Sequence, residues 1–162
     1  MADEIDYDSW ARLVPLEITT DTIWRTPAYR LSLYAVACAQ SDLPLLVRHR
    51  GSRPHVDQLL RAVGAISASL DEGYSRSGGR DRAHFYEYSL GSARESRGWY
   101  LKCAPALPPD RVGRRIALFS RIVRILTVVV PRERAESSMK PKRRDGPNDA
   151  QPPDNPAATG SS

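Results

Sequence analysis

The side chains whose types and spacing could support chemistry gather in the middle of the chain. Asp81-x-x-His84 places a carboxylate and an imidazole one turn apart, the spacing with which a helix offers two metal ligands on one face. A dinuclear bundle site needs a second such pair and further carboxylates. The chain has three His, with His49 and His55 near a predicted loop and a helix start, so the second half is missing. Cys38 and Cys103 form no Cys-x-x-Cys pair and read as small buried hydrophobes. No metal and no cofactor is expected. Glu72 and Glu95 offer a second chemistry. Ala62, Ala65, Ser69, Glu72, Gly73 and Arg76 make one small-and-polar flank, and Gly91, Ser92 and Glu95 another. Two carboxylates at a helix contact can act as general acid and base. They can equally be structural, with Arg61, Arg76, Arg94 or Arg97 as partners, because an unpaired buried carboxylate is costly. A structural network of Glu72, Glu95, Arg61 and Ser69 is the expectation, with no catalytic residue. Neither Gly-x-x-x-x-Gly-Lys-Ser/Thr nor Gly-x-Ser-x-Gly occurs, and no strand precedes Ser77-Gly78-Gly79-Arg80 to make it a phosphate loop. The chain reads as non-enzymatic.

The third chemistry is polyanion binding. Arg76, Arg80 and Arg82 flank Tyr74, Phe85 and Tyr86, a combination suited to phosphates and to base stacking. The other reading puts the aromatics in the core and leaves the arginines solvated. Charge distribution supports a basic folded part. Among 162 residues, 24 Lys and Arg face 19 Asp and Glu, a net charge of +5. Residues 1–20 hold five acids and one base, a net −4. Residues 21–130 hold 17 bases and nine acids, a net +8, and residues 131–162 are nearly balanced. A basic surface of this kind attracts nucleic acid with salt-dependent affinity. Since 21 of the 24 bases are Arg, composition competes with selection as the explanation.

These residues must be positioned by helices. Thr26-Pro27 caps a first helix, which reaches about Asp42, meets Pro44 as a kink or restart, and ends near Gly51. Ser52-Arg53-Pro54 opens a second, with a seam of Val56, Leu59, Val63, Ile66, Leu70 and Gly73 or Tyr74. Phe85, Tyr88, Ser92, Glu95 or Ser96, Trp99 and Cys103 give a third seam. Val112, Ile116, Phe119, Val123, Leu126 and Val130 give a fourth, ending at Pro131, with Leu118, Ile122, Ile125 and Val129 as apolar residues off it. The predicted fold is all-α, an antiparallel up-and-down four-helix bundle over residues 21–134, since short loops force neighbours to run opposite ways. Residues 1–20 form an acidic leader, with Trp10, Leu13 and Val14 pinning a turn before Pro15. Residues 135–162, with Lys140-Pro141-Lys142-Arg143-Arg144 and a Pro-rich end, are expected to be a disordered tail. The excess apolar surface of the last helix predicts a homo-oligomer, or else a face covered by the leader with Trp10 and Trp24. The acidic start and the arginines within the most apolar stretch predict a cytoplasmic protein with no membrane span.

The runs Asp71-Glu72-Gly73-Tyr74-Ser75-Arg76 and Leu90-Gly91-Ser92-Ala93-Arg94-Glu95-Ser96, with the residues between and around them, resemble the bacterial four-helix bundle protein family. That family includes proteins encoded in 23S rRNA intervening sequences and is similar to the accessory protein of diversity-generating retroelements. The likeness covers about residues 20–134. Family members read Ala-Asn-Ile-Ala-Glu-Gly where this chain has Ala68-Ser69-Leu70-Asp71-Glu72-Gly73. The resemblance implies a bundle assembled into a ring, typically a pentamer, with a basic surface for RNA or DNA and no enzymatic activity. Arg76, Arg80, Arg82, Arg94, Arg97, Arg114 and Arg115 are the candidate contacts. A protein-interaction scaffold is the alternative.

Overall fold

A computed structural model describes residues 6–139, with side chains through residue 136. Six helices and three short 3-10 turns make up this part, and no strand occurs among the described residues. The helices are α1 (Tyr7–Ala11), α2 (Leu16–Thr19), α3 (Pro27–Arg48), α4 (Val56–Tyr74), α5 (Gly79–Lys102) and α6 (Pro109–Met139). The tail expected from residue 135 lies outside the described residues beyond 139, and residues 135–139 belong to α6.

Helix α3 begins where Thr26-Pro27 predicts, with Pro27 at a position whose missing N–H costs no helical bond. Pro44 does not restart it. The proline and Gln40, whose carbonyl loses its i+4 donor, are both exposed, so water can satisfy what the ring removes. Helix α4 buries Val56, Leu59, Val63, Ile66, Leu70 and Gly73, the seam read from its spacing.

Helix α5 turns differently from the expected register. Its buried side is Ala83, Tyr86, Ser89, Ala93, Ser96, Tyr100 and Cys103, whereas Tyr88 is exposed and Trp99 half-buried. The middle of this buried side is small, with Ser89, Ala93 and Ser96 lying between Tyr86 and Tyr100. The small residues let it close in until Ser89 Oγ donates to the Ile66 carbonyl at 2.9 Å. A Cβ on Gly73 would lie 2.9 Å from Phe85 Cβ and from the Tyr86 ring.

Helix α6 keeps Phe119, Leu126 and Val130 inside, but Arg115 and Ile122 take the places expected for Ile116 and Val123. It also passes through Pro131. Its final turns are tied to α5, with Arg82 Nη1 3.2 Å from Glu133 and Arg134 bonded to Glu87. These cross-helix pairs favour continuation beyond the proline.

Helix α3 packs on α4 and α6, and α5 packs on α4 and α6. Gly73 meets Tyr86, Ile66 meets Ser89 and His55 meets Trp99, so α4 and α5 run in opposite senses. Arg82 meets Glu133 and Tyr100 meets Phe119, so α5 and α6 do too. The leader is part of this packing. Tyr7 lies edge-on to Tyr34 of α3 at 5.5 Å, and Trp10 sits 5.4 Å from Tyr34 and 6.2 Å from Trp24. Trp10 therefore anchors it as expected, while Leu13, at 72% exposure, does not.

Candidate nucleic-acid interface

Two charged side chains occupy core positions. Asp42 is fully buried on α3, in step with Leu31, Ala35, Cys38 or Ala39, and Leu46. Arg115 is 2% exposed on α6. Arg115 Nε and Nη2 donate to the two Asp42 oxygens at 2.7 and 3.0 Å, a bidentate pair. Tyr100 Oη donates to Oδ2 at 3.0 Å, and Arg111 Nη1 stands 3.4 Å from Oδ1. Burial, followed by the Asp42 charge, pushes the Tyr100 phenol far up, which keeps it the donor. The cluster ties α3, α5 and α6 together. It corrects the assignment of Arg115 to the nucleic-acid surface, because its guanidinium is committed inward. A carboxylate and a guanidinium on the apolar stripes of two neighbouring helices were the sequence signal for this pair.

The expected network of Glu72, Glu95, Arg61 and Ser69 does not form. Glu72 is exposed and bonds Arg76 on its own helix at 2.6 Å, and Glu95 is exposed and accepts from Trp99 Nε1 at 3.0 Å. Arg61 is exposed and Ser69 half-buried. Glu95 is level with α4 near residue 59, which leaves about 20 Å along the axis between the two carboxylates at ~1.5 Å per residue. That distance removes the acid–base pair as well. The register of α5 explains the difference: of Glu95 and Ser96, the two residues the spacing allows on the seam, Ser96 is the buried one. His84 is exposed and shares a hydrogen bond with Tyr88 Oη at 2.9 Å, away from any group of three potential metal ligands among the described residues.

The other candidate arginines divide by what holds them. Arg82 is half-buried against Glu133, and Arg97 Nη1 donates to Ser120 at 3.3 Å. Arg114 bonds Asp110 at 2.7 Å, and this bond holds the Asp110 carboxyl below its usual range. Arg76 lies over the Phe85 ring at 4.8 Å while bonded to Glu72. Arg80 and Arg94 are exposed.

The strongest cationic feature lies elsewhere. From Arg111 to Arg132, α6 carries six arginines and no acid. Arg111 and Arg115 point to Asp42, and Arg121, Arg124 and Arg132 are exposed. Between α6 and α3 a groove of about 380 Å³ is lined by Tyr34, Arg114, Arg115, Ala117, Leu118, Arg121 and Arg124. Arg121 and Arg124 were not among the sequence candidates. The acid-free run between Asp110 and Glu133 was the signal for them. No helix among the described residues is long and apolar enough to cross a membrane. The chain matches no family model, no curated protein and no solved structure.

Proposed function

We propose that the protein is a non-enzymatic, homo-oligomeric, up-and-down four-helix bundle that binds RNA or DNA through an arginine surface centred on the α3–α6 groove. The observation that carries this reading is the convergence of Arg114, Arg121 and Arg124 on one concave surface of a helix with no acid over 22 residues. Low-dielectric walls around like charges concentrate the field and attract polyanions. Arg80 and Arg94 are further exposed arginines on α5, whereas Arg82, Arg97 and Arg115 serve the fold. The likeness of residues 20–134 to the bacterial four-helix bundle family supports the same reading, including assembly of several copies in the cytoplasm. Exposed Leu101 and Val128 are apolar surface for such assembly, or for the protein partner of a scaffold without nucleic acid.

The test is fluorescence anisotropy with labelled RNA and DNA oligonucleotides across a salt series. Log affinity should fall with log salt by about 0.9 per neutralised phosphate on duplex and about 0.7 on single strands. Arg121→Ala with Arg124→Ala should reduce the slope by about two such contacts. Absence of binding at low salt refutes the proposal, and recovery of a single protein partner after nuclease treatment would favour the scaffold.

A further inference from the structure

We infer that the α3–α6 groove takes an unpaired nucleotide, with the base against Tyr34 and the neighbouring phosphates on Arg121 and Arg124, so that the ligand is single-stranded. This rests on the polyanion reading above and names its ligand class. The groove is a depression of about 380 Å³, near the low end of the ~300–1,000 Å³ typical of small-ligand sites. That is room for one flat heteroaromatic group and its sugar. Arg114 and Arg124 lie ten residue steps apart, about 15 Å of helix, the reach of a short run of strand.

The lining separates the two chemistries a nucleotide presents. Ala117, Leu118 and the Tyr34 ring supply apolar surface, and the guanidinium groups supply donors for phosphate oxygens. Tyr34 is the single aromatic residue in the lining. Its ring is already held by Tyr7 at 5.5 Å and Trp10 at 5.4 Å, so little rotamer freedom remains to be lost on binding. The leader thus acquires a role, as the support of a stacking side chain. Arg30, one turn before Tyr34 on the same face of α3, has a buried Nε with no hydrogen-bond partner among the described residues.

The experiment uses the full chain and three probes at one salt concentration: a labelled single-stranded uridine oligonucleotide, a duplex of equal length, and heparin. Wild type should bind the single strand more tightly than the duplex. Tyr34→Leu should weaken single-strand binding about 5- to 150-fold, the range for loss of one stacked base, and leave heparin unchanged. Tyr34→Phe should retain the preference. Ala117→Trp fills the groove from an exposed position and should abolish the preference without touching the core. If all three probes bind alike, or the Tyr34 and Ala117 variants weaken them equally, the nucleotide site is refuted while polyanion binding stands. If no probe binds, both fail.

Discussion

Removing the Asp42 carboxylate is the most direct test of how the core is held. In Asp42→Ala the Arg115 guanidinium, 2% exposed, loses both short hydrogen bonds, and the buried Tyr100 hydroxyl loses its acceptor. Leaving one partner of a buried pair uncompensated costs about 3–5 kcal/mol. Unfolding entropy of about 2.1 cal/mol/K per residue over the described part, 134 residues, gives roughly 0.28 kcal/mol/K. The expected fall in Tm is therefore about 11–18 °C, measured by calorimetry or by helix circular dichroism. Asp42→Leu combined with Arg115→Met removes both charges and keeps apolar volume. Arg111, only partly buried, can turn to solvent, so the double variant should regain most of the loss. A fall of less than about 4 °C for Asp42→Ala, equivalent to about 1 kcal/mol, would refute the assigned role. So would a double variant no more stable than the single one.

Gly73→Ala should destabilise by about 1–3 kcal/mol, because the new Cβ meets the Phe85 Cβ and the Tyr86 ring and forces α4 from α5. Gly64→Ala and Gly98→Ala, with open space around the added methyl, should instead stabilise by about 0.5–1 kcal/mol; denaturant midpoints with unchanged slopes distinguish the two outcomes. Burial first and then a nearby carboxylate push Tyr29 and Tyr86 up to about 12, and Tyr100 rises further. Each folded tyrosine retains a proton that the unfolded chain releases near pH 10. Stability should thus be full below about pH 10 and fall towards pH 12 by about 1.4 kcal/mol per pH unit per tyrosine; a flat profile in alkaline urea titrations would contradict this. Glu133→Ala should cost about 1 kcal/mol or less and speed amide exchange in residues 131–139 more than in the preceding turns, since it cuts the Arg82 tie.

Where local chemistry dominates, the sequence alone was sufficient. The four long helices, the Thr26-Pro27 start and the whole α4 seam follow from proline position and from three-and-four spacing, which depend on nearest neighbours along the chain. Charge segregation placed the basic excess in the folded part. Spacing could not choose between two stripes on α5 offset by one residue, because both carry aromatic and small residues. That choice depended on packing against α4 and α6, which buries Tyr86, Ser89, Ala93, Ser96 and Tyr100 and leaves Glu95 and Tyr88 outside. The same limit applies to charge. Composition counts Arg115 and Arg121 alike, but Asp42 lies opposite the first and none of the groove lining is acidic beside the second. A side chain 73 positions away therefore decides that one arginine stabilises the core while another on the same helix stays exposed to solvent.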